Sequence, residues 1–183
     1  MESSIYYLNG SFVQAADAVL PLNDLGLVRG YGVFDLLRSY DGVPFKLSEH
    51  IQRLERSAAA IGLDLPWPGV ALEEIARETY RRNALPNATI RIIVTGGSSP
   101  NFMSPQGRPS LVVMVEPVAP NSPAEYERGA KIISVEMARF MPTVKSLNYI
   151  GAIMAMKQAE PADHTQNRGL VGRHAGGGDG DRR

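Results

Sequence analysis

Two β-branched runs stand close together in the middle of the chain, "TIRIIVTGG" from Thr89 and "SLVVMVE" from Ser110. The polar loop "GGSSPNFMSPQGRP" separates them. Branched Cβ atoms fit a pleated, half-buried surface, so both runs predict strands of a sheet. A sheet needs further strands and a cover for its apolar face, and the residues before Thr89 supply both.

The chain opens on "IYYL" and "SFV" around Asn9-Gly10. Asn-Gly favours a type I′ turn, so this reads as a hairpin. "GVFDLLRSY" reads as a strand that Asp41-Gly42 turns into "VPF". The stretch "LSEHIQRLERSAAAIGL" predicts a helix with Ser48 as N-cap, an inward stripe of Ile51, Leu54, Ala58 and Ile61, and Gly62 as its stop. A second helix is predicted from Gly69 to Asn83, with Leu72, Ile75, Ala76, Thr79 and Tyr80 inward. Glu73 and Glu74 are placed in its first turn, and Arg81 and Arg82 in its last, as the helix dipole favours.

This order predicts an α+β fold, a small N-terminal domain over residues 1–118 with an antiparallel sheet and two helices. The proline-rich "PVAPNSPAEYERGA" marks a linker over residues 119–128. A second α/β domain starts within residues 129–160. Its elements are a strand at "KIISVEM", ended by Pro142, and a helix after Lys145. That helix is expected to turn most of Tyr149, Ile150, Ile153, Met154 and Met156 to a core, with Ser146 or Asn148 as its cap.

Residues 161–183 carry six of the 18 glycines, and Leu170 and Val171 are their only large aliphatics. Such a stretch buries too little apolar surface to offset its ordering entropy, so a disordered tail is expected and the second domain reads as incomplete. The abrupt change of composition suggests a truncation or a shifted reading frame. His164 and His174 match no standard metal-ligand spacing.

Composition narrows the function classes. Nineteen basic residues balance 19 acidic ones, so no net field favours nucleic acid or an anionic membrane surface. No apolar run approaches a membrane span, and the N-terminus does not read as a signal peptide. There is no cysteine, hence no disulfide and no thiolate chemistry, which suits a cytoplasmic protein.

Five residues stand out chemically. Lys145 lies at a strand-to-helix junction, where a desolvated amine can form a Schiff base with an aldehyde; spacing alone favours a surface lysine whose stem lies along the helix. Arg53 sits well away from the apolar stripe of its helix, as a solvated arginine would. Arg91 interrupts an apolar strand, which places it at a sheet edge or in a pocket. Tyr31 lies between two glycines in "RGYGVFD", where the backbone can approach a ligand closely or simply bend. Tyr149 belongs to the helix after Lys145. Gly96-Gly97 is a weak candidate for an anion nest.

The segments "LNG", "PLNDLGLVRGYGVFDLLRSYDG", "HIQRLERSA" and "KSLNYIGAIMAMKQA" follow one another at characteristic separations over residues 5–160. In this the chain resembles the class IV, or fold-type IV, pyridoxal-phosphate aminotransferases, which include branched-chain and D-amino-acid aminotransferases and aminodeoxychorismate lyase. The resemblance implies pyridoxal 5′-phosphate as cofactor, bound covalently by Lys145. It implies that Arg53 holds the cofactor phosphate, that Tyr149 hydrogen-bonds the phenolic oxygen, and that Tyr31 and Arg91 contact substrate. It also implies a homodimer that exchanges an amino group between an amino acid and a 2-oxo acid. The "TIRI" pattern resembles the branched-chain members. D-amino-acid enzymes place an arginine and a histidine where this chain has "GGSS". The family's glutamate for the pyridine nitrogen lies in a region with no counterpart before residue 183, so impaired turnover is expected. A non-catalytic fragment that self-associates is the alternative.

Overall fold

The computed structural model describes residues 4–118, 120–129 and 132–159. Contacts divide the chain into two units, residues 1–119 with 143–147, and residues 120–142 with 148–183. The predicted tail and both of its histidines lie outside the described residues.

The first unit is a six-stranded antiparallel sheet with two long helices. Its strands are β1 (Ile5–Leu8), β2 (Ser11–Gln14), β3 (Gly32–Tyr40), β4 (Val43–Pro44), β5 (Ala88–Thr95) and β6 (Ser110–Pro117). Their spatial order is β2-β1-β6-β5-β3-β4. The short helix α1 spans Leu25–Arg29, and α2 (Leu47–Ala60) and α3 (Gly69–Asn83) are the long helices. Both dipeptide turns form as their chemistry requires. Asn9 and Gly10 take φ of 46° and 101°, and Asp41 and Gly42 take 46° and 88°, the left-handed pair of a type I′ hairpin.

Register explains the core. Val33 pairs with Val94, Asp35 with Ile92 and Leu37 with Ile90, and the next strand sets Leu111, Val113 and Val115 beside them. All of these side chains are buried. α2 packs against β3, and α3 against β1, β5 and β6. From the helices come Leu47, Ile51, Leu54 and Ala58, and Leu72, Ala76, Thr79 and Tyr80. Each fully buried aliphatic contributes about 1.5–3 kcal/mol. The opposite sheet face carries Phe34, Leu36, Ile93, Arg91 and Met114, which are half-buried or exposed.

Several local expectations need correction. Ser48 does not cap α2: the helix starts at Leu47, two residues earlier than that cap implies, after Lys46 at φ 50°, and no side chain caps it. Ile61 lies just past the end of α2 and is half-buried. Glu73 falls beyond the first turn of α3, where it pairs with Arg77 instead of the helix dipole. The strand predicted at Gly32 follows α1, which Asp24 caps by accepting from the Gly26 amide at 2.7 Å.

The second unit contains α4 (Pro123–Arg128), inside the stretch read as linker, and α5 (Ile150–Ala159). "KIISVEM" forms no strand among the described residues 132–137. Its β-branched composition favours extension, but among these residues only Val135 takes part in a β-bridge, and a single bridge does not make a strand. α5 also departs from expectation. It buries Ala155 and Ala159, whereas Ile150 is 70% and Ile153 53% exposed, with Met154 and Met156 exposed as well. Ile150, Ile153 and Met154 share one face at i, i+3, i+4 spacing with Met156 at its margin, and it is the opposite face, with Ala155 and Ala159, that is buried.

Candidate functional site

Residues 143–147 rejoin the first unit as a short strap. β4 pairs with β3 only at Ser39 and Tyr40, so the edge of β3 nearer Gly32 remains open. The strap takes it. Val33 and Ser146 form an antiparallel bridge, the Phe34 amide donates to the Lys145 carbonyl at 3.0 Å, and the Leu147 amide donates to the Gly32 carbonyl at 3.1 Å. Val144 is buried. Strand alternation then puts Lys145 on the sheet face of Phe34, with its Nζ 4.5 Å from the ring centroid. The Lys145 amide donates to Ser57 Oγ on α2 at 3.2 Å.

Gly32 is required here. A Cβ at that position would lie 2.6 Å from the Val94 carbonyl oxygen and 2.7 Å from Leu147 Cδ1. The close backbone approach foreseen from "RGYGVFD" is therefore between strands and strap.

One helical turn before Ser57, Arg53 turns its guanidinium onto Asp35. Arg53 Nε donates to Oδ2 and Nη2 to Oδ1, both at 2.7 Å, a bidentate pair. His50 Nδ1 lies 2.8 Å from the same Oδ1, which also accepts from the Leu36 amide at 2.7 Å. The Asp35 side chain is 0% exposed, whereas that of Arg53 is 45% exposed. Burial alone would push the Asp35 carboxyl up. The hydrogen bonds from Arg53, His50 and the Leu36 amide, together with the Arg53 charge, outweigh it and hold the group below the ordinary aspartate value.

The other expected site residues are placed differently. Tyr31 Oη donates toward the carbonyls of Ile61 (3.3 Å) and Gly62 (3.1 Å), tying its ring to the end of α2. Burial first, and the Asp64 charge second, raise its hydroxyl pKa above the usual value. Arg91 is on β5, between β3 and β6, so it is not at a sheet edge; it is exposed on the face opposite the helices. Tyr149 belongs to the second unit, where the Arg139 guanidinium lies 5.9 Å from its ring centroid.

Gly96-Gly97 is not an anion nest. The Gly96 amide donates to the Tyr31 carbonyl and the Gly97 amide to Thr95 Oγ1, so both donors are committed. A Cβ on Gly97 would sit 1.9 Å from the Arg108 carbonyl oxygen, which makes this a close crossing of two loops. No group of acidic or histidine side chains suited to a metal occurs among the described residues.

Sequence reasoning missed Asp35, His50, Phe34 and Ser57. Two signals were present. Asp35 shares strand parity with Val33 and Leu37, and a carboxylate on a buried face requires a partner. His50 and Arg53, three apart on a helix, share the face that meets it.

A family model described as amino-transferase class IV matches residues 32–167. A putative branched-chain-amino-acid aminotransferase of Methanocaldococcus jannaschii is 39% identical over 163 residues, covering 85% of this chain and 56% of that protein. A D-alanine aminotransferase of Staphylococcus epidermidis is 35% identical over 173 residues, covering 90% and 61%. The chain thus spans little more than half the length of these relatives. Among solved structures, the branched-chain aminotransferase of the thermophilic archaeon Thermoproteus uzoniensis with norvaline superposes with a TM-score of 0.76 at 28% identity, over 88% of this chain and 58% of that one. A second branched-chain amino acid aminotransferase, solved with pyridoxamine 5′-phosphate, gives 0.79 at 26% identity, over 90% and 58%.

Proposed function

The chain belongs to the amino-transferase class IV family, and on that basis we propose that it serves pyridoxal-phosphate-dependent transfer of an amino group between an amino acid and a 2-oxo acid. The observation that carries this reading is the strap: it holds a primary amine, Lys145 Nζ, at 4.5 Å from the Phe34 ring. From α2, the helix that binds the strap, Arg53 presents a half-exposed guanidinium.

These residues fit the cofactor chemically. Lys145 supplies the amine for its aldehyde, and Arg53 a cation for its phosphate. Asp35 engages the Nε and Nη2 edge of Arg53, so the phosphate would be met on another side of the guanidinium. When bound, pyridoxal phosphate supplies the electron sink for charge developing at the substrate α-carbon. Lys145 Nζ takes and returns the α-proton as general base and acid. Asp35 and His50 orient Arg53, and the Phe34 ring favours an ammonium above it. In this reading Tyr149 would hydrogen-bond the cofactor's phenolic oxygen, and Tyr31 and Arg91 would serve substrate.

A branched-chain L-amino acid is the substrate class favoured, supported by the "TIRI" strand and the 39% identical relative. A D-amino acid is the second reading, supported by the relatives at 35% identity. A homodimer is supported by the exposed aliphatics Val19, Leu22 and Leu27. The cysteine-free composition is compatible with the cytoplasm. No helix of the described residues is long and apolar enough to cross a membrane.

The test presents L-leucine and D-alanine separately with 2-oxoglutarate and pyridoxal phosphate, and follows 2-oxo acid formation. Faster consumption of L-leucine supports the branched-chain reading. Faster consumption of D-alanine replaces it with the second, and no product from either donor refutes transamination by this chain with these donors.

A further inference from the structure

The peptide groups flanking Lys145 are held by different elements. Its carbonyl accepts from β3, through the Phe34 amide at 3.0 Å. Its amide donates to α2, through Ser57 Oγ at 3.2 Å. Ser57 is 2% exposed, although serine is an indifferent helix interior residue that commonly turns its hydroxyl to solvent or back onto its own helix. It lies four residues after Arg53, one turn along α2. The hydroxyl therefore joins the segment bearing the amine to the helix bearing the guanidinium. With the Phe34 amide and the Phe34 ring, it fixes where the Lys145 stem leaves the backbone.

We infer that Ser57 is a positioning residue for Lys145, acting through the Lys145 amide to aim Nζ over the Phe34 ring. No catalytic contact is assigned to Ser57 itself, and its importance for the reaction rests on the proposed role of Lys145. Removing the hydroxyl leaves α2 intact, because alanine is the better helix former. It also leaves a half-buried amide without that partner, so the strap loosens.

The experiment uses the 183-residue chain and three variants, Ser57→Ala, Ser57→Cys and Ser57→Thr, each first shown to be folded by circular dichroism. Amide hydrogen exchange is read on the peptide covering residues 143–147. In parallel, formaldehyde with borohydride methylates accessible amines, and peptide mass spectrometry gives the ratio of Lys145 to Lys46, an exposed internal reference. A third arm replaces formaldehyde with pyridoxal phosphate. In Ser57→Ala the strap exchanges about fivefold faster, the scale of one lost hydrogen bond. The Lys145 to Lys46 methylation ratio rises severalfold as the amine leaves the ring, and selective labelling of Lys145 by pyridoxal phosphate falls. Ser57→Cys, of similar shape with a weak acceptor, moves in the same direction. Ser57→Thr, which keeps the hydroxyl, restores the wild-type values.

Unchanged strap exchange and methylation ratio in both Ser57→Ala and Ser57→Cys would overturn the inference. Faster exchange with an unchanged methylation ratio would also overturn it, since the contact would then be structural only. Absence of selective pyridoxal-phosphate labelling in the wild-type chain would instead count against the proposed function. The formaldehyde and exchange arms would still decide the role of Ser57.

Discussion

The two units treat apolar sequence in opposite ways. In the first, period-two alternation along β3 and β5 meets helical stripes on α2 and α3, and the side chains at those positions are buried. In the second, α5 is at least as apolar, yet Ile150, Ile153, Met154 and Met156 are exposed and only two alanines are buried. Hydrophobic content alone does not place a side chain. An apolar stripe has to meet a partner surface, and among the described residues only the first unit shows that match.

The sharpest way to break this comparison is a pair of truncations. Leu54→Ala, at a 0% exposed position of α2, should cost about 2–5 kcal/mol in urea unfolding. Ile153→Ser on α5, 53% exposed, should shift the same transition by about 0.5 kcal/mol or less. Similar losses from both would mean that α5 is packed as closely as α2.

Asp35 offers a second, smaller test within the first unit. Asp35→Ala removes the buried partner of Arg53 and His50. Breaking a fully buried pair typically costs about 3–5 kcal/mol, but Arg53 is 45% exposed and can rehydrate, so about 2 kcal/mol is expected. The effect should be present at neutral pH in thermal or urea melts, and a loss below about 0.5 kcal/mol would reduce the cluster to a surface pair.

Its pH dependence follows from the direction of the shift. The folded carboxyl titrates below the unfolded one, which lies near about 4. The unfolded chain therefore binds the proton first on acidification. Stability from Asp35 is fully present above about pH 4 and is lost as the pH falls from there through the folded value. The stability gap between the wild-type chain and Asp35→Asn should narrow over that window. A gap that widens on acidification would reverse the assigned shift.

How much of this was legible depends on how local the signal was. The two type I′ turns were written in dipeptides, Asn9-Gly10 and Asp41-Gly42, because glycine and asparagine or aspartate tolerate positive φ. The α+β architecture followed from periodicity, and α3 takes the predicted bounds. Ser48 misled because capping preference is weak against the hairpin that delivers the chain at Lys46. Arg91 lies inside the sheet because strand order, which sequence does not encode locally, puts β5 between β3 and β6. The contacts of Arg53 with Asp35 and of Lys145 with Ser57 join residues 18 and 88 positions apart. Such pairings are set by the fold, and no spacing rule reaches them. The resemblance singled out Lys145 and Arg53 but not the residues that hold them.

The central claim is that the strap makes Lys145, among the lysines of this chain, the one that reacts as an amine toward an aldehyde cofactor. Lys157 is the natural control, since it lies in the last turn of α5. The decisive measurement incubates the wild-type chain, Lys145→Ala and Lys157→Ala with pyridoxal phosphate. The mixtures are then reduced with borohydride, and the modified peptides are mapped by mass spectrometry. The account predicts a stoichiometric adduct on the peptide containing Lys145 in the wild-type chain and in Lys157→Ala, and its loss in Lys145→Ala. Equal labelling of the two variants, or an adduct carried mainly by Lys157, would contradict it.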